Sequence, residues 1–121
     1  AVHDYMVANY RYDTDFKSGL YGKDTYSFRG LLDNGTGVCQ AYAELFYLFM
    51  CYLDIECYYV GGAAKVASGE YGPHAWNVVY VDDGYYHVDV TFDDPVPDAG
   101  SKISYDYFLK TTKEIAKDHD W

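Results

Sequence analysis

Gly35-Thr36-Gly37-Val38-Cys39-Gln40-Ala41-Tyr42-Ala43-Glu44-Leu45-Phe46-Tyr47-Leu48-Phe49-Met50 sets two glycines before a cysteine and a long apolar run after it. The glycines permit a tight turn. Gln40 and Glu44 are the polar exceptions beyond Cys39, and no Gly or Pro interrupts the run. The spacing predicts a helix that is apolar nearly all round, hence buried, ending near Tyr52 because Asp54 and Ile55 follow. Cys39 falls in its first turn, where unpaired N–H groups and the positive end of the helix dipole favour an anion. The anion a cysteine supplies is thiolate, the nucleophilic form. Cys39 therefore reads either as an activated nucleophile heading a central helix or as a small residue packing the helix start.

The composition narrows the class. At 121 residues the chain has the size of one domain with a real core. Half of it is hydrophobic and 20% is aromatic, which marks a folded globule. Sixteen tyrosines suit half-buried positions whose hydroxyls stay wet. A net charge of −10 leaves no basic patch for nucleic acid or an anionic membrane surface. It leaves peptides, polyamines and lysine-bearing partners as ligands. No apolar run is long enough to span a bilayer, so no membrane insertion is expected. The three cysteines cannot all pair, so at least one thiol stays free. Without a Cys-x-x-Cys motif a thiolate zinc site has no basis. Asp93, Asp94 and Asp98 lack calcium-ligand spacing and read as a solvated acidic loop. No cofactor and no metal are expected.

Taken in order, Val2 to Tyr10 is close to helical spacing, with His3 and Asp4 read as a solvated or capping pair. Arg11 to Gly30 is irregular and rich in turn chemistry; Tyr26 within it could line the approach to Cys39. Three strands follow the central helix: Cys57 to Gly62, His74 to Val81 and Tyr85 to Thr91. Ala63 to Pro73 reads as a loop, and Asp82-Asp83-Gly84 as a hairpin turn. Cys51 and Cys57 read as buried or strand-packing residues, with a mutual disulfide as the other reading. The tail holds the aromatic segment Tyr105 to Leu109 and a last helix from about Thr112. Helices first and a meander afterwards give an α+β class, with the cysteine-headed helix packed on an antiparallel sheet.

Cysteine catalysis needs a thiolate, a base for its proton and a group that orients the base. A two-residue turn centred on Asp82 and Asp83 sets His74 opposite Thr91 and Asp89 opposite Trp76. His74 and Asp89 then share a sheet face as diagonal neighbours, within hydrogen-bond reach; a turn on Asp83-Gly84 keeps that face but moves Asp89 two residues further from His74, and a one-residue bulge at Gly84 puts the two on opposite faces unless a second bulge compensates. The reading is a Cys39, His74, Asp89 set, with His87 as a competing base given a structural role. The Cys39 N–H is the natural first oxyanion donor. Gln40, Tyr26 and Asn34 are candidates for the second, and Trp76 for substrate contact.

These residues also resemble the bacterial transglutaminase-like superfamily. Its pattern of a Gly-Val-Cys-x-Gly-Tyr-Ala helix start is matched by Gly37-Val38-Cys39-Gln40-Ala41-Tyr42-Ala43. His74-Ala75-Trp76-Asn77 matches its His-Ala-Trp-Asn strand. Asp89-Val90-Thr91-Phe92-Asp93 matches its Asp-Val-Thr-Trp-Asp strand end, and Val2-His3-Asp4-Tyr5 with Tyr12-Asp13 extends the likeness over nearly the whole chain. Ala41 replaces the usual Gly and Phe92 the frequent Trp; neither position is catalytic. The resemblance implies a papain-like α+β fold with Cys39 on the helix and His74 and Asp89 on the sheet. It implies an extracellular or cell-wall location, while the length reads as one domain over residues 1–121 and the start at Ala1 without a methionine as a mature product or a domain excised from a longer or secreted protein with further domains.

The functional expectation is a thiol enzyme acting on protein or peptide amide bonds. Water as acyl acceptor gives a peptidase or amidase, and a lysine amine gives a transglutaminase. The rival reading is a silent peptide- or wall-binding module on the same fold.

Overall fold

The computed structural model describes residues 2–12, 28–65, 69–93 and 105–121. Helix α1 (Val2–Asn9) leads to a two-residue strand β1 (Arg11–Tyr12). Helix α2 (Phe28–Asn34) and strand β2 (Thr36–Gly37) follow, β2 lying parallel to β1. The long helix α3 spans Cys39–Tyr52. Strands β3 (Cys57–Lys65), β4 (Tyr71–Val81) and β5 (Gly84–Val88) form an antiparallel meander. One turn of helix, α4 (Val90–Asp93), then α5 (Thr112–Ile115) and a short strand β6 (His119–Asp120) complete the described elements. The sheet order is β5-β4-β3-β6.

Local chemistry accounts for the elements around α3. Gly35 has φ of +75°, a left-handed conformation that suits glycine and turns the chain out of α2. Gly37 approaches Leu31 and Ala41 so closely that a Cβ there would sit 3.0 Å from the Ala41 Cβ. Residues Ala41, Tyr42, Leu45, Phe46 and Met50 of α3 pack on Val79 and Val88 of the sheet and on Met6, Val7 and Leu31 of α1 and α2. Each buried side chain of that size contributes about 1.5–3 kcal/mol by leaving water. The Asn77 amide donates to the carbonyls of Ala43 and Tyr58, at 3.0 and 3.2 Å, pinning helix to sheet.

Several expectations change. The helix is not buried all round: Tyr47, Leu48 and Tyr52 are exposed, Tyr52 at 89%, because α1, α2 and the sheet leave one stripe of its second half uncovered. Ala63 to Lys65 extend β3 and Tyr71 to Pro73 extend β4, so only the middle of the anticipated loop lies outside the ladder. The third strand stops at Val88, because the Asp89 carboxylate accepts the Phe92 N–H at 3.1 Å and starts α4 as an N-cap does. His3 is not solvated: its Nε2 donates to Asp93 Oδ2 at 2.8 Å in the interior, and Asp93 is itself buried rather than part of a solvated loop. Asp94 and Asp98 lie outside the described residues. The three cysteines are free, which sets aside the Cys51–Cys57 disulfide; Cys57 is buried as expected, but Cys51, near the end of α3, is exposed instead of buried.

The β4–β5 pairing is the one a turn on Asp82 and Asp83 dictates, with Asn77 opposite Val88 and Val81 opposite Gly84. Both aspartates have positive φ, 49° and 62°, as a tight hairpin of right-handed strands requires.

Candidate active site

Three elements converge on one point. Helix α3 presents Cys39 at its first residue, half-buried. Val38 before it is extended and contributes no side-chain cap, so the first-turn N–H groups are not consumed by one. Strand β4 presents His74, and the residue between β5 and α4 is Asp89. The His74 Nε2 donates to Asp89 Oδ2 at 2.6 Å. A carboxylate only accepts, so this contact fixes the proton on Nε2. Cys39 is near enough to the same imidazole to help hold its proton.

The His74 ring is packed as well as bonded. Phe92 lies 4.6 Å from it, His119 5.6 Å and Trp76 5.8 Å, measured between ring centroids. Burial disfavours the imidazolium, but the bonds to Asp89 and Cys39 outweigh burial, and the His74 pKa rises to about 9. Asp89 has no solvent exposure, which alone would favour the neutral acid. The two hydrogen bonds from His119 and His74 outweigh that and hold its pKa below the usual carboxylate value.

The other sequence candidates fall in different places. Gln40 is exposed on the first turn of α3, beside Cys39. Tyr26 lies outside the described residues, as does the side chain of Asn34, whose backbone ends α2. Trp76 is 1% exposed, and its indole N–H donates to His87 Nδ1 at 3.0 Å. It therefore backs His74 from the interior instead of facing a substrate. His87 is occupied on both nitrogens, with Nε2 3.3 Å from Thr112 Oγ1, and burial lowers its pKa. That bonding suits the structural part expected of it.

Sequence reading missed His119. Its Nε2 donates to the same Asp89 oxygen at 2.7 Å, and its Nδ1 to Asp118 Oδ1 at 2.7 Å. A histidine between two acids in Asp118-His119-Asp120 was the available signal, but a two-residue edge strand has no periodicity to betray it. His74, Asp89 and His119 bring three potential ligand atoms within 4.8 Å of one another. Their contacts of 2.6 and 2.7 Å are hydrogen bonds.

The transglutaminase-like superfamily matches residues 1–90, and the chain belongs to it. Two solved structures share its fold. A candidate cysteine protease from Cytophaga hutchinsonii is 23% identical over 80% of this chain and 32% of its own, with a TM-score of 0.59. A TGase is 20% identical over 74% of this chain and 24% of its own, with a TM-score of 0.61. The chain thus spans about a third and about a quarter of those two proteins. No curated protein matches it. Among the described residues no helix is long and apolar enough to cross a membrane.

Proposed function

We propose that the chain is a thiol enzyme acting on protein or peptide amide bonds through a covalent acyl-enzyme. Cys39 is the nucleophile, His74 the general base and acid, and Asp89 the group that orients His74. The observation that carries this reading is the division of labour on one imidazole. Nε2 is committed to Asp89 at 2.6 Å, which leaves Nδ1 as the nitrogen open to a thiol proton, and Cys39 acts on the same imidazole.

In this reading the Cys39 thiol proton moves to His74 Nδ1, and the sulfur attacks the amide carbonyl carbon. Negative charge gathers on the carbonyl oxygen, where the Cys39 N–H at the helix start is one donor and Gln40, Asn34 or Tyr26 a candidate for the second. The tetrahedral species collapses as His74 returns the proton to the leaving amine, leaving a thioester. Water then attacks the thioester, His74 takes its proton, and the thiol is restored with a carboxylic acid product. A lysine amine in place of water makes an isopeptide bond instead. Water is favoured because it is always present. Further domains of a longer parent protein would supply substrate selection.

Incubating the chain with a glutaminyl peptide and a fluorescent primary amine tests both outcomes. The expected result is release of ammonia or peptide cleavage that vanishes in Cys39→Ser. Amine incorporation would make the acceptor an amine. No product of either kind over a panel of peptide amides, with Cys39 inert to alkylation, would favour the binding module.

A further inference from the structure

The Asp89 Oδ2 atom accepts two imidazole N–H groups, from His74 at 2.6 Å and from His119 at 2.7 Å. His119 stands in β6, beyond the residues 1–90 that match the family, and is 2% exposed. Its Nδ1 meets Asp118 Oδ1 at 2.7 Å, while Asp118 Oδ2 accepts the Tyr107 hydroxyl at 2.6 Å. Both nitrogens of His119 thus face carboxylate oxygens, and with both acids ionised the arrangement is satisfied by a ring carrying two N–H groups.

We propose that His119 is a positioning residue of the thiol site: its cation shares the Asp89 oxygen that orients His74 and so eases release of the His74 proton. The inference rests on the thiol-enzyme reading above. Among the described residues, five titratable groups face His119. Asp89, His74 and His87 come from the β4–β5 hairpin and its end, Asp118 from its own strand approach, and Tyr107 from the segment before α5, with its ring 5.6 Å away. The rings of Trp76 at 4.8 Å and Phe92 at 5.0 Å fill the space between them. In this packed setting a positive charge 5.6 Å from the His74 ring is felt strongly. Asp89 alone would hold the His74 proton tightly, whereas a general acid works best with a pKa near ambient pH. A second cation on the same oxygen weakens that hold.

The sign of the effect separates this role from a merely structural one. His119→Gln keeps a neutral N–H donor and removes the charge. The His74 titration midpoint, followed by NMR of its ring proton in the 121-residue chain, is expected to rise by about one pH unit. A structural role only would loosen the Asp89 contact and let the midpoint stay or fall towards about 6.5. Asp118→Asn, which withdraws support for the second His119 proton, is expected to move His74 in the same upward direction and carries the test if His119→Gln does not fold. A midpoint that is unchanged or lower in the folded variant overturns the proposal. Cys39 alkylation indifferent to His74→Ala would instead overturn the enzyme reading, and the His74 titration would still decide the part of His119.

Discussion

His74 and Asp89, fifteen residues apart in sequence, meet through a 2.6 Å hydrogen bond at the end of the β4–β5 hairpin remote from its turn. The hairpin register makes the meeting possible, and the α4 N-cap makes it rigid. The Asp89 Oδ1 is spent on the Phe92 N–H, so Oδ2 is the atom left to face the imidazoles.

The pair sets a pH dependence of stability. The folded His74 pKa, about 9, lies above its unfolded value of about 6.5. Its contribution is therefore fully present below about pH 6.5 and is lost as pH rises through about 9. Asp89 is shifted the other way, so its contribution is present above the ordinary carboxylate range and is lost in acid. Urea unfolding across a pH series should show the alkaline decline, at most about 1.4 kcal/mol per pH unit for one group. The decline should be absent in His74→Ala; an equal decline there would contradict the assignment.

Asp89→Asn retains the shape but presents an amide where two imidazole N–H groups need an acceptor. Acylation of Cys39 by an activated ester should slow by about 10³–10⁴-fold, the scale seen when the orienting carboxylate of a nucleophile–histidine–acid site is lost. A loss below tenfold would mean that Asp89 does not orient His74.

Gly62 lies under the last strand. A Cβ there would press on the Asp120 carbonyl and the Trp121 backbone, and would stand 3.0 Å from the Trp76 ring. Gly62→Ala should therefore push β6 off the sheet and cost about 1–3 kcal/mol. Gly61→Ala, where nothing lies within 4 Å of the added methyl, is the matched control and should be near neutral. Thermal unfolding of the two variants checks this, and equal midpoints would contradict it.

His3 and Asp93 tie the first helix to α4 across ninety residues, and Asp93 Oδ1 also accepts the Tyr107 N–H at 2.9 Å. Asp93→Ala leaves both donors without that acceptor in the interior. The expected cost is about 3 kcal/mol or more, read as a lower urea midpoint. A change within about 0.5 kcal/mol would mean that the buried bonds add no net stability.

What the sequence made legible was what local chemistry controls. Gly35 and the apolar run mark α3, and Asp82-Asp83-Gly84 marks the turn, while the choice among its registers is made by the pairing of β4 with β5. Thr111 and Glu114 form a capping box that starts α5 at Thr112. What stayed hidden depends on partners far away in the chain. His3 looks like a surface residue until Asp93 reaches it, and β6 exists because β3 extends to Lys65 and offers it an edge. His119 acquires its meaning from Asp89, thirty residues earlier. The all-round burial expected of α3 fails for a related reason, since the faces that its neighbours leave open are not written in its own sequence.

The central claim is that Cys39 and His74 form a thiolate–imidazolium pair, and iodoacetamide alkylation of Cys39 against pH tests it most directly. The adduct must be located by peptide mass mapping, because Cys51 is exposed and will also react. Cys57 should stay silent at neutral pH, since burial and the neighbouring Cys51 push its pKa up to about 12. The account predicts that Cys39 alkylates well below the free-thiol pKa of about 8.5, and that His74→Ala abolishes this low-pH reactivity. Native chain and variant both alkylating at Cys39 only near the free-thiol pKa would contradict it.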